Sequence, residues 1–259
     1  MSAFKTYDTR GRLGTDLTEA IAHRIAQAFA TVTGADAVVL ARDCRESAPA
    51  LANAVAAGLM AQGVQVLDLG MAGTEEVYFA TAHLGAGGGI CVPASHNPRE
   101  YNGMKLVGHG AVPLLDADFA RIRALAECGE AFSPTPGGAR EDRTGVRADY
   151  VARVAELVGQ GIGPLRLVVN AGNGAAGPTL DALADGLAAR GARLDLVRMH
   201  HDPDGSFPNG IPNPVLPENR PVTAEAVKAA KADFGVAFDG DFNRCFLFDG
   251  AGCLSMASM

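Results

Sequence analysis

The amino-acid sequence predicts an α/β protein of two consecutive α/β/α sandwich domains, each built on a mainly parallel mixed sheet. Three observations carry this expectation. Short apolar runs alternate with segments of helical hydrophobic period, the pattern of strands joined by crossover helices. The alternation halts once, at 129–147 (GEAFSPTPGGAREDRTGVR), where Gly, Pro and charge replace it, and then restarts. A length of 259 residues suits two domains of ordinary size. The domains are therefore expected at 1–138 and 148–259 with a linker between them.

Leu17, Ile21, Ile25, Ala28 and Phe29 recur at helical spacing, and Asp16 with Glu19 offers a capping pair ahead of them. Residues 37–41 (AVVLA) are apolar throughout, as a strand buried on both faces requires. Ser47 and Pro49 open the next helix, which runs on to a stop at Gly63. A second strand follows at 64–70 and a helix at 74–84, with Glu75 and Glu76 in its favourable first turn. Residues 87–94 (GGGICVPA) and 103–107 (GMKLV) read as strands, and 116–128 as a helix. Beyond the linker the series is a helix at 148–158, a strand at 165–170, a helix at 179–190 and a strand at 192–197. A loop at 200–220 holding five prolines leads to a helix at 222–232. The stretch 234–248 then reads as strand, turn (DGDFN) and strand.

With 22 Lys+Arg against 29 Asp+Glu, the net charge is −7, which argues against the basic footprint of a nucleic-acid binder. Hydrophobic residues at 48% with 20% charged supply a core and exclude disorder. Charges interrupt every apolar stretch before it reaches the ~18–20 residues of a membrane span. The N-terminal MSAFKTYDTRGRLG lacks the apolar heart of a signal peptide, so a cytoplasmic protein with no membrane partner is expected. The five cysteines are odd in number and scattered without a C-x-x-C pair; reduced thiols, mostly in the interior, are expected. The six histidines make no metal-ligand pattern, and the adjacent His200 and His201 suit a loop.

Three motifs carry chemistry. AGNGAAG (171–177) matches G-x-G-x-x-G between a strand and a helix, but Asp195 lies inside the next strand rather than at its end. A tight strand-to-helix turn is the plainer reading, with nucleotide binding as the rival. PASHNPREYNGMK (93–105) begins where an apolar strand ends, the place where open α/β sheets put their ligands. Ser95 there has His96 beside it to take a proton and Lys105 to meet an anion, although turns also favour Ser, Asn and Pro on backbone grounds alone. DGDFN (239–243), again at a strand end, sets Asp239, Asp241 and the Asn243 amide at alternate positions with Arg244 next in line. Oxygens so spaced suit a hard cation such as Mg²⁺, although Asp-Gly is also an ordinary hairpin turn.

Taken in order, FKTYDTRG (4–11), ASHNPREYNGMK (94–105) and DGDFNR (239–244) resemble the signature segments of the phosphohexomutases, the phosphomannomutase/phosphoglucomutase family. AGNGAAG and DGSFPNGIPNPVLPEN (204–219) support the match, the latter resembling the bacterial phosphomannomutase branch. The resemblance runs from Phe4 to about Phe248. It implies a phosphoserine enzyme that interconverts hexose 6-phosphate and hexose 1-phosphate through a hexose 1,6-bisphosphate. Ser95 is implied to carry the phosphoryl group. His96 and Lys105 would manage proton transfer, and Arg10, Tyr7 and Arg244 would contact the phosphate or support the site. Mg²⁺ is implied on Ser95, Asp239, Asp241 and Asn243. Partners would be mannose or glucose phosphates.

Two departures from the family pattern set further expectations. Asn243 stands where the family has a third aspartate, so the cation should bind more weakly. Family members also continue through third and fourth domains, whereas 251–259 (AGCLSMASM) matches nothing in the family. A chain covering the first two domains alone is expected to have reduced activity or none, and the alternative is a non-catalytic truncated paralogue that binds anions or a partner chain.

Overall fold

The computed structural model describes residues 3–5, 8–159 and 161–258. The chain divides into two compact units, Met1–Val146 and Arg147–Met259.

In the first unit the elements run β1 (Asp8–Arg12), α1 (Glu19–Thr33), β2 (Ala37–Arg42), α2 (Ala48–Met60), β3 (Gln65–Met71) and α3 (Thr74–His83). They continue with β4 (Gly88–Val92), β5 (Tyr101–Gly108), α4 (Asp116–Glu127) and β6 (Ala139–Asp142). The sheet order is β1-β5-β4-β2-β3-β6. Strands separated by a helix, β2, β3 and β4, pair in parallel. β5 follows β4 with no helix between them, so it returns antiparallel, and β1 pairs antiparallel with β5. The two faces of the central strands feed two cores, which makes the unit a sandwich. Val38 and Leu40 of β2 join the side chains of α1, α2 and α4, whereas Val39 and Ala41 join those of α3.

Local chemistry sets the helix ends. The expected Asp16–Glu19 cap is replaced by Thr18, whose Oγ1 accepts the Ile21 N–H at 3.2 Å. Asp16 instead accepts the Arg12 N–H through Oδ2 at 3.1 Å, closing the turn before the helix. Thr18 wins because it stands immediately before the first helical residue, in extended backbone, where a cap must sit.

The segment 129–147, expected as linker, is partly ordered into β6, which pairs in parallel with β3. All four β6 residues are exposed, so no hydrophobic period marks the strand. It is pinned instead by Arg140, which reaches Asp68 of β3 at 2.6 Å.

The second unit holds α5 (Val146–Val158, its first residue in the first unit), β7 (Leu165–Asn170), α6 (Ala176–Ala188) and β8 (Leu194–Met199). After the proline-rich loop come α7 (Pro221–Ala230), β9 (Phe234–Phe238), β10 (Cys245–Asp249) and β11 (Leu254–Ser258). The sheet order is β11-β10-β9-β7-β8. β7 pairs in parallel with β8 and β9, across the α6 and α7 crossovers. The loop-connected β9, β10 and β11 pair antiparallel, so the four strand pairings of this mixed sheet are two parallel and two antiparallel. Val168, Ala237, Phe246 and Phe248 form the core beneath Val227 of α7. The tail 251–259 contributes β11, its residues 254–258, to this sheet.

All five cysteines are thiols, but the expected interior placement holds only for Cys91. Cys44 and Cys245 are half-buried, and Cys128 and Cys253 are exposed. Among the described residues no helix is long and apolar enough to cross a membrane.

Candidate active site

Ser95 and His96 sit in the loop that leaves the C-terminal end of β4. Ser95 is buried at 1% exposure and adopts φ +51°, a left-handed backbone that a non-glycine residue enters at a cost of about 1–3 kcal/mol. Its Oγ lies 3.2 Å from His96 Nδ1. With Nδ1 unprotonated, the serine hydroxyl donates to the ring and is set to pass its proton there.

The register of the sheet places two more expected residues on one face. Lys105 of β5 stands opposite Asp8 of β1 on one side and Cys91 of β4 on the other. Arg10 follows Asp8 by two residues and so shares its face. Lys105 Nζ donates to Thr74 Oγ1 at the start of α3, at 3.2 Å. Arg10 donates from Nη2 to Asp8 Oδ2 at 2.9 Å, while its Nε is buried with no hydrogen-bond partner among the described residues. A buried guanidinium N–H in that condition is suited to an incoming anion. Tyr7 lies outside the described residues.

Two residues of this loop's support escaped the sequence reading. Asp43 and Arg45 follow β2 and are almost fully buried, at 1% and 2% exposure. Arg45 Nη2 donates to the carbonyls of Ser95 and Asn97, and Nη1 to those of Pro98 and Tyr101. The available signal was a pair of opposite charges two apart, directly after a fully apolar strand.

The second unit contributes the turn between β9 and β10. Asp239 and Asp241 are fully buried, and Asn243 Oδ1 is buried with no hydrogen-bond donor among the described residues. Asp239 accepts the Arg244 N–H at 3.1 Å and Arg244 Nη1 at 3.3 Å. Two buried carboxylates two residues apart are costly to hold together. A hard cation suits this set of oxygens: two carboxylates and an orphaned amide oxygen. Among the described residues no group of three His, Cys, Asp or Glu offers a competing metal centre. Burial pushes the neighbouring Cys245 thiol pKa up, so it stays protonated at neutral pH.

The turn owes its shape to a neighbour the sequence had set apart. Within the turn the left-handed residue is Phe242, at φ +44°, and not Gly240. Gly240 is instead approached by the AGNGAAG loop: the Ala175 N–H donates to its carbonyl at 3.0 Å, and a Cβ on Gly174 would lie 2.7 Å from that oxygen. The other two glycines of the motif are equally tight, Gly172 against Pro212 and Gly177 against the His201 carbonyl. All three glycines of the G-x-G-x-x-G spacing are closely packed against neighbouring chain.

Comparison with known proteins follows the same lines. The family model described as phosphoglucomutase/phosphomannomutase, alpha/beta/alpha domain I, matches residues 1–131, and that for domain II matches 148–252. A phosphomannomutase of Salmonella montevideo is 50% identical over 256 residues, covering 97% of this chain and 56% of the relative. Phosphohexose mutases of Xanthomonas campestris pv. campestris are 50% identical over 254 residues, covering 97% and 55%. The crystal structure of a phosphoglucomutase/phosphomannomutase family protein from Burkholderia thailandensis superposes with a TM-score of 0.86 at 38% identity, over 98% of this chain and 56% of that one. The chain thus spans about half the length of the relatives it matches. With two successive domain models matched in order and half the residues shared with named mutases, the chain belongs to the phosphoglucomutase/phosphomannomutase family.

Proposed function

We propose that the protein acts in phosphoryl transfer on hexose phosphates, as an intramolecular phosphotransferase of the phosphomannomutase type with Ser95 as the phosphoryl carrier. The observation that carries this is Ser95 itself: a buried serine in strained backbone at a strand end, its hydroxyl against His96. Strain of this kind gathers where a side chain must be aimed.

In the proposed cycle, the free hydroxyl oxygen of a hexose monophosphate forms a P–O bond to the phosphoryl group on Ser95 and gives up its proton. The bond from phosphorus to Ser95 Oγ breaks, and Ser95 Oγ takes up a proton, leaving the 1,6-bisphosphate. The bisphosphate then returns its other phosphoryl group. Ser95 Oγ forms the new P–O bond, its proton passes to His96 Nδ1, the sugar P–O bond breaks, and the leaving sugar oxygen takes a proton. Phosphoryl transfer of this kind depends mainly on positioning and on neutralising charge. Arg10 and Lys105 supply positive charge in the first unit and Arg244 in the second. Asp239, Asp241 and Asn243 would hold Mg²⁺, which when bound supplies positive charge against phosphoryl oxygens.

Intact-mass measurement of the chain after incubation with glucose 1,6-bisphosphate tests the reading. One phosphoryl group should be gained, and Ser95→Ala should abolish it. A chain that binds hexose phosphate but never gains the group would point to the non-catalytic alternative, and an equal gain in Ser95→Ala would remove Ser95 as the carrier.

A further inference from the structure

We propose that Arg45, braced by Asp43, is a positioning residue that sets the geometry of the Ser95 loop for phosphoryl transfer; this rests on the phosphoserine reading above. The Arg45 guanidinium is a single planar fork that gathers three carbonyls from the connection between β4 and β5 and a fourth from the first residue of β5. Nη2 takes Ser95 O at 3.1 Å and Asn97 O at 2.6 Å, and Nη1 takes Pro98 O at 2.8 Å and Tyr101 O at 3.3 Å. Asp43 completes the brace. Its Oδ2 accepts the Ala94 N–H at 3.1 Å and lies 3.3 Å from Arg45 Nε, and its Oδ1 accepts the Arg45 N–H at 3.0 Å. The Asp43 N–H in turn donates to Val92 O, tying the brace to the end of β4.

This arrangement addresses the problem that the loop poses. Left-handed backbone at Ser95 persists only where the surroundings over-determine it. The residue before Ser95 is held through its N–H by Asp43, and Ser95 itself is held through its carbonyl by Arg45. The peptide unit after the strained residue and the one leading into Ala94 are therefore fixed by buried charge-assisted hydrogen bonds, which are the strong ones, and the Ala94 carbonyl between them accepts from the Asn97 N–H and side-chain amide. Because Asp43 and Arg45 neutralise each other in the interior, the pair acts through direction rather than through net charge on the phosphoryl group. An ammonium keeps the charge but cannot span four acceptors, so lysine is no substitute at a site of this shape.

Arg24 offers a built-in control. It also gathers three carbonyls, those of Leu125, Ala126 and Glu130, but at the end of α4, away from the Ser95 loop in the chain. Arg45→Lys and Arg24→Lys in the full 259-residue chain should each lower the melting temperature. Only Arg45→Lys should slow phosphoryl transfer from glucose 1,6-bisphosphate to Ser95, by about ten- to a hundredfold, as expected for a displaced nucleophile. Amide hydrogen exchange across 94–98 should quicken selectively in the same variant. If Arg45→Lys does not fold, Asp43→Asn should show the same pair of effects at smaller size. Equal slowing in Arg24→Lys at equal loss of stability, or unchanged exchange across 94–98, would overturn the proposal. If the unaltered chain gains no phosphoryl group at all, the phosphoserine reading falls; exchange then decides the brace alone, selective quickening supporting it and uniform exchange sinking it.

Discussion

Asp239 and Asp241 bring two buried carboxyl groups to the β9–β10 turn, and Asn243 brings an amide oxygen with no donor among the described residues. A cation held there gains a third oxygen but no third charge, and ligand charge tunes affinity for hard cations. Replacing Asn243→Asp should tighten Mg²⁺ binding by roughly tenfold, worth about 1.4 kcal/mol. In the metal-free protein the same change should lower stability, because a further carboxylate joins two that are already buried. Calorimetric titration with Mg²⁺ and thermal unfolding without it read the two effects separately. Equal affinities before and after the change would remove the cation from this turn.

At the scale of elements, two loops share one surface in the second unit. The glycine-rich loop after β7 and the DGDFN turn after β9 meet backbone to backbone at Gly174 and Gly240. β7 and β9 are parallel neighbours, so their C-terminal ends lie side by side and deliver both loops to the same place. Gly174→Ala puts a methyl group where only 2.7 Å is available to a backbone oxygen, which cannot rotate away. The expected cost is about 1–3 kcal/mol of stability. The displacement should also weaken Mg²⁺ binding, since it falls on the turn that carries Asp239 and Asp241. A variant with lowered melting temperature but unchanged Mg²⁺ affinity would separate the two loops functionally.

For the molecule as a whole, every residue assigned a role serves the phosphoryl group in transfer. No described residue is assigned to the second phosphate of a bisphosphate, which must anchor the sugar while it turns. Binding energy remote from the reacting centre holds a substrate in reactive geometry, and its loss lowers turnover as well as affinity. A polypeptide of just these 259 residues should therefore accept a phosphoryl group on Ser95 yet isomerise mannose 1-phosphate or glucose 1-phosphate at least tenfold below the ~1–10³ s⁻¹ usual for enzymes. A coupled assay with Mg²⁺ and glucose 1,6-bisphosphate measures this, and turnover within the usual range would show that the two units suffice.

The sequence by itself determined the α/β class, the division into two units and the strand ends that carry ASHNP and DGDFN. Each of these is written in local side-chain pattern: an apolar run such as AVVLA suits a sheet interior, and polar motifs at strand ends fall where such sheets open. Tertiary structure alone decided the rest. β6 has four exposed residues and exists because Arg140 and the free edge of β3 recruit it across some 70 positions of chain. Thr18 rather than Asp16 caps α1 because the cap depends on backbone conformation, not on residue type alone. The glycines of AGNGAAG mark a tight turn in the sequence, but the neighbours that crowd them, Pro212, Gly240 and His201, are set by tertiary structure. Arg45 is the clearest case. A charged residue after a strand looks like surface, and its burial becomes tolerable only when carbonyls some 50 residues away converge on it.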